Sequence, residues 1–211
     1  MINALALGGV ALSFLIPPTS SPTPAAVPPP GAITVQLATA NGTGCRPSNT
    51  AVALDPTNSF FTMTYSDFTA GVGPGFRPQD SRKNCQINVI VHVPQGYTYA
   101  IARVDYRGFA SLKAGAYGIE RANYYFQGMQ QTATIAHRFN GAYEDVWAAS
   151  DAVPIESLIW RPCGENRNFN INSELVVNAG TSPPTATSFM AMDSTDLDIR
   201  TIYHFAWRSC P

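Results

Sequence analysis

Residues 103–109 read RVDYRGF, with Arg103, Asp105 and Arg107 each two positions apart. Residues two apart in an extended strand point to the same side, so a carboxylate would stand between two guanidinium groups on one sheet face. Two chemistries suit that arrangement. As a site, Asp105 would be a general acid or base and the arginines would hold an anion. As a fastening, the three would be ion pairs across neighbouring strands, with Glu120 or Arg121 as further partners. Flanking positive charge favours the ionised carboxylate and lowers its pKa, which suits an anchor better than a proton donor. Arg103, Asp105 and Arg107 are therefore read as structural ion pairs.

The other reactive residue types give no catalytic or metal assignment. His92, His137 and His204 lie far apart without neighbours at ligand spacing, and separate strand-face histidines are the simpler reading than a metal triad. No GxSxG elbow for a serine nucleophile is present. Glycoside cleavage needs two carboxylates about 5–10 Å apart, one of raised pKa; Asp67, Asp80, Glu144, Asp145, Glu165 and Glu174 are the candidates. Asp193, Asp196 and Asp198 in DSTDLD lack the EF-hand pattern and read as a solvated turn rather than a calcium loop. No cofactor is implied.

A polar, aromatic surface is the remaining candidate. Asn168, Asn170 and Asn172 would project as a row of amides, with Tyr97 and Tyr99, and Tyr124 or Tyr125, as flat aromatic partners. Sugars present hydroxyl edges and apolar CH faces, which amides and aromatic rings match. The plainer reading is the ordinary polar face of an antiparallel sheet.

The elements that must hold these residues are strands. Ile33, Val35 and Leu37 alternate with polar residues; Phe61, Met63 and Tyr65 do the same, as do Ile87–Val93 and Phe169–Val177. Tyr203, Phe205 and Trp207 make an aromatic row. NGTG, GVGPG, PQG and NAGTSPP punctuate these runs with turn chemistry. Helical spacing is absent; Ala148–Ser157 is the best place for a short helix, interrupted by Pro154. Many short strands between turn signals predict an all-β, antiparallel sandwich, jelly-roll-like or related.

The 211 residues carry 45% hydrophobic and only 13% charged residues, with a formal net charge of −1. That balance supplies a sizeable core and excludes the electrostatic footprint of a nucleic-acid or anionic-membrane binder. The apolar run Leu5–Ile16 has the length of a signal-peptide core and is too short to span a bilayer. The organisation expected is a signal peptide over residues 1–20, a Pro-rich linker over 21–32 and one secreted domain over 33–211, with no membrane segment in the mature form. Four cysteines, Cys45, Cys85, Cys163 and Cys210, without a CxxC pair, predict two disulfides in a secreted chain, with three possible connectivities. Sequential pairing, Cys45–Cys85 and Cys163–Cys210, is favoured. Asn41-Gly42-Thr43 is a glycosylation sequon, which places Asn41 at the surface.

The strings VQLATANGTGC (35–45), TYSDFTA (64–70), DSRKNCQ (80–86), VPQGYTYAIARVDYRGFASL (93–112), NYYFQG (123–128) and IYHFAW (202–207) resemble the secreted proteins grouped as domain of unknown function 4360. The resemblance runs from about residue 33 to the C-terminal region and includes all four cysteines. It implies an extracytoplasmic, disulfide-bonded protein of bacterial or fungal type and brings no activity with it. The function expected is a secreted, non-enzymatic module contacting an extracellular polysaccharide or surface protein. The alternatives are a secreted hydrolase using a carboxylate pair, and an effector or inhibitor presenting a loop such as GVGPGFRPQD (residues 71–80). The sequence does not specify an oligomeric state.

Overall fold

A computed structural model describes residues 27–29, 31–130, 132, 134–192 and 200–211. The expected signal peptide, most of the linker and the DSTDLD turn lie outside these residues. The described residues form twelve strands: β1 (Thr34–Gly42), β2 (Thr50–Leu54), β3 (Phe60–Tyr65), β4 (Thr69–Val72), β5 (Arg82–His92), β6 (Tyr97–Leu112), β7 (Tyr117–Phe126), β8 (Ile135–Asn140), β9 (Tyr143–Ala152), β10 (Phe169–Asn178), β11 (Ser188–Ala191) and β12 (Thr201–Ser209). The short helix expected over Ala148–Ser157 is instead the end of β9 and one 3-10 turn, Ile155–Ser157. Pro154 lacks the N–H that a longer helix would need.

Two antiparallel sheets face each other. One runs β1-β5-β10-β7-β8; the other runs β2-β3-β12-β6-β11-β4, with β9 also paired to β6. The sandwich expected from the alternating sequence is the architecture found. Side-chain alternation is clean where it matters. In β7, Gly118, Glu120, Ala122, Tyr124 and Phe126 are buried, and the residues between them are half-exposed. The inward rows Cys85–Ile87–Val89–Val91 of β5, Phe169–Ile171 of β10 and Phe61–Met63–Tyr65 of β3 form one continuous core. Aromatic contacts join the two layers: Tyr99 meets Phe126 edge-on at 5.3 Å, and Tyr124 meets Tyr203 edge-on at 6.0 Å. Such pairs add about 0.5–1.5 kcal/mol each beyond area burial.

One irregularity redirects side chains. His204 of β12 pairs with Arg103, whereas Phe205 pairs with Ile101. Ala102 is thus an extra residue on β6, a bulge that reverses the alternation. Tyr99 before the bulge and Val104 and Tyr106 after it all face the core, while Arg103, Asp105 and Arg107 face outward. Gly108 meets a second demand of β6. A side chain there would collide with the indole of Trp147, its partner on β9, so the missing Cβ lets a fully buried tryptophan cover the strand.

Both disulfides have the sequential connectivity, Cys45–Cys85 and Cys163–Cys210. The first bridge lies in the core beside β5. The second ties the end of β12 to the segment before β10, where the Cys210 N–H also donates to the Gly96 carbonyl at 2.7 Å.

Candidate functional site

The Arg103–Asp105–Arg107 triplet sits on the outer face of the seven-stranded sheet. Asp105 accepts from Arg103 Nε at 2.7 Å, contacts His204 Nε2 at 2.8 Å and accepts from the Ser150 hydroxyl. Three strands, β6, β9 and β12, therefore meet at one carboxylate. Arg107 forms no ion pair among the described residues, so His204 and Ser150 take the place expected for it. Nor do Glu120 and Arg121 join: Glu120 is buried between the sheets, and Arg121 pairs with Glu174 at 2.8 Å on the other sheet. Partial burial pushes the Asp105 carboxyl up, but hydrogen bonds from Ser150, Arg103 and His204 outweigh it and hold the group below the usual range.

Asp105→Ala is expected to cost about 1–2 kcal/mol, the worth of a few partly exposed charge-assisted bonds. A depressed folded-state pKa gives stability that is present above the unfolded value and lost as pH falls. The gap in melting temperature between wild type and variant should therefore close in acid. A variant that melts like wild type at pH 7 would remove Asp105 from the stabilising groups.

The amide row lies on the other sheet. Asn170 and Asn172 of β10, with Asn168 just before it, point outward and are joined by cross-strand bonds. Asn88 Nδ2 donates to Asn170 at 2.8 Å, Asn168 Nδ2 to Asn88 at 2.6 Å, and Asn172 Nδ2 to Asn123 at 2.9 Å. Asn88, Asn168, Asn170 and Asn172 floor a shallow depression of about 390 Å³, with Tyr125, Gln86 and Gln127 at its sides. A second depression of about 400 Å³ continues the surface past Asn172 to Glu174, Arg121 and Arg82. Asn41, the sequon residue, is exposed and lines the first depression.

Tyr97 and Tyr99 do not join this face. They belong to the opposite sheet; Tyr99 is fully buried in the core and Tyr97 half-buried at its edge. Period-two alternation carried back from Arg103 places both outside, and the bulge at Ala102 turns them in. Tyr125 is the ring that accompanies the asparagines, while Tyr124 faces the core.

Most of the carboxylates considered for hydrolysis are engaged in ion pairs. Asp80 is held by Arg77 and Lys83, whose hydrogen bonds keep its carboxyl well below the usual range. Glu174 pairs with Arg82 and Arg121, Glu165 with Arg167, and Glu144 with Lys113. Residues 71–80, considered as a presented loop, fold back on themselves: Phe76 covers Gly71 and Arg77 is clamped to Asp80.

Two acidic groups that the sequence did not single out for chemistry lie between the sheets. Asp151 of β9 accepts from the Tyr106 hydroxyl at 2.8 Å and from Tyr124 at 3.4 Å, and its second oxygen lies 2.7 Å from His137 Nε2. Glu120 of β7, the cross-strand neighbour of His137, is fully buried, and neither carboxyl oxygen has a hydrogen-bond partner among the described residues. Burial, reinforced by the Asp151 charge, raises its pKa well above the ordinary value. Period two made Glu120 readable, since it shares a side with Ala122, Tyr124 and Phe126. Asp151 was readable in the same way, sharing a side with Trp147. The three histidines stay apart: His92 is exposed, His137 faces the interior and His204 the outer surface. No group of metal-binding side chains occurs among the described residues, and no helix there is long and apolar enough to cross a membrane.

Comparison with known proteins bears on family rather than on ligand. A curated relative, an uncharacterized secreted protein of Arthroderma benhamiae, is 30% identical over 183 residues, covering 87% of this chain and 74% of that protein. Among solved structures, TmCBM61 in complex with beta-1,4-galactotriose aligns over 84% of this chain and 88% of its own, at 12% identity and a TM-score of 0.28. The enzymatically active domain of bacteriophage CBA120 tailspike protein 4 aligns over 84% of this chain and 19% of its own, at the same identity and TM-score. Likenesses that loose carry no argument about ligand or activity. The family model described as "Domain of unknown function (DUF4360)" matches residues 31–210, and the chain belongs to that family.

Proposed function

We propose that the protein is a secreted binding module that contacts an extracellular glycan through the outer face of the β1-β5-β10-β7-β8 sheet. The observation that carries this reading is the cross-strand amide lattice. Asn88 is bonded to Asn168 and Asn170, and Asn172 to Asn123, so the row is held as two groups in fixed orientations. Each primary amide offers two donors and an acceptor oxygen with two lone pairs, so most of that capacity remains available for sugar hydroxyls. Groups fixed before binding lose little side-chain entropy on binding, and Tyr125 supplies an aromatic surface at the edge of the same depression. Secretion is supported by the apolar run Leu5–Ile16, the two disulfides and the description of the 30%-identical relative as secreted.

The oxidised protein should be incubated with insoluble chitin, β-glucan, cellulose and peptidoglycan, with assays of both the pellet and any released sugar. Retention on at least one polymer without released sugar is expected. Asn170→Ala combined with Asn172→Ala should weaken that retention at least about tenfold, or about 1.4 kcal/mol, while the protein stays folded at the assay temperature. Soluble sugar products would replace the binding module with a hydrolase. Absence of retention on all four polymers would overturn the glycan reading.

A further inference from the structure

Away from the amide face, a cavity of about 380 Å³ opens between the two sheets at one end of the sandwich. Its walls are Ile101 and Val104 of β6, Phe126 of β7, Phe169 of β10, and Val153 and Ile159 of the segment after β9. The mouth is apolar too. Ile135 and Ile159, which line it, are 37% and 39% exposed, and Ile155 on the same segment is 63% exposed. These are three of the six large apolar residues that the described chain leaves in water. An open apolar cavity of this size with a few convergent polar groups is the usual form of a small-molecule site.

The polar groups decide the ligand. Asp151 lines the cavity, its side chain only 3% exposed, and is held by Tyr106, Tyr124 and His137. Oδ2 accepts from both tyrosines, while Oδ1 faces only His137 and retains a lone pair for a further donor. Arg103 is the cation at the rim, and its guanidinium is committed to Asp105 and Ser150 on the outer face. The lining therefore presents a carboxylate without an available rim cation. Tyr124, Tyr125, Phe126 and Phe169 line the same cavity, and aromatic ring faces attract cations.

We infer that this cavity binds a small apolar amine, its ring system between the sheets and its ammonium group against Asp151. Apart from Tyr125, which borders both, the site is separate from the proposed glycan face, and either can fail without the other. The cavity walls supply burial; the carboxylate supplies the preference for charge. An anionic molecule of the same shape would bring its charge against Asp151, at a cost that grows in a low-dielectric setting.

The test uses three probes of similar shape, tryptamine, indole and indole-3-acetate, titrated calorimetrically into the oxidised protein at pH 7.5. Tryptamine should bind at least about tenfold more tightly than indole and more tightly still than indole-3-acetate. Ile159→Trp, which fills the mouth from an exposed position, should abolish tryptamine binding at unchanged melting temperature. Asp151→Asn should bring tryptamine down to the affinity of indole. If that variant does not fold, the three-probe ranking and Ile159→Trp still decide the matter. Equal binding of tryptamine and indole, tighter binding of indole-3-acetate, binding that survives Ile159→Trp, or no binding at millimolar concentration would each overturn the inference.

Discussion

Glu120→Gln is expected to stabilise the protein at pH 8 and to change it little at pH 4. In the folded chain the Glu120 carboxyl lies between the sheets with neither oxygen hydrogen-bonded among the described residues. Burial, with the Asp151 charge adding to it, keeps its pKa well above the ordinary value. In the unfolded chain the same group ionises near about 4.3. Above that pH the unfolded state releases a proton that the folded state keeps, so the unfolded state binds fewer protons and stability falls as pH rises. The slope is about 1.4 kcal/mol per pH unit for as long as the folded carboxyl stays protonated. Glutamine has nearly the same shape and cannot ionise, so the variant should escape this loss. Urea unfolding midpoints at the two pH values measure it. Parallel pH profiles for variant and wild type would mean that Glu120 does not remain protonated in the fold.

Breaking the Cys45–Cys85 bridge by substituting both residues with alanine should destabilise the protein more than breaking Cys163–Cys210. The sequence separations are 40 and 47, so unfolded-chain entropy assigns each about 4 kcal/mol. The surroundings separate them. Cys45 and Cys85 are 1% and 0% exposed within the core, and removing two buried sulfurs leaves a cavity whose cost adds to the entropy. Cys163 is exposed and Cys210 half-exposed, so no comparable cavity forms there. Against the roughly 5–15 kcal/mol that hold a domain together, the first loss removes much of the margin. Denaturant unfolding of the two double variants gives the comparison, and equal losses would show that the core around Cys45 closes over the gap.

Most of the architecture follows from period-two patterns short enough to read directly. Phe61-Met63-Tyr65 and Ile87-Val89-Val91 show their inward faces in the sequence, and an even cysteine count pointed to two bridges, found in the favoured sequential pairing. The ligand row was only half legible. Asn168, Asn170 and Asn172 share a face because no irregularity interrupts them. Tyr97 and Tyr99 were misplaced because a bulge has no reliable signature in an otherwise alternating stretch, and one extra residue inverts everything before it. The acidic pair between the sheets was missed for a different reason. Carboxylates were sought by type, and most of those found are held in ion pairs with arginine or lysine. Glu120 and Asp151 differ from them in which way their strands turn them. His137 shows the same limit: its partner Asp151 lies on the next strand in sequence, but the two strands belong to opposite sheets.

The position of β12 sets when folding can be completed. It lies inside its sheet, between β3 and β6, and supplies Tyr203 and Trp207 to the core. The other sheet likewise needs β10, which joins β5 to β7. Neither layer can close until strands far apart in sequence have met, and connections of such high contact order make folding slow. In a chain leaving the ribosome, the five-stranded sheet stays open until β10 has been synthesised and the seven-stranded sheet until β12 has. In the secreted protein proposed above, that delay would keep the chain in the extended form that a translocation channel accepts, and would postpone closure until the whole domain is on the side where its cysteines oxidise.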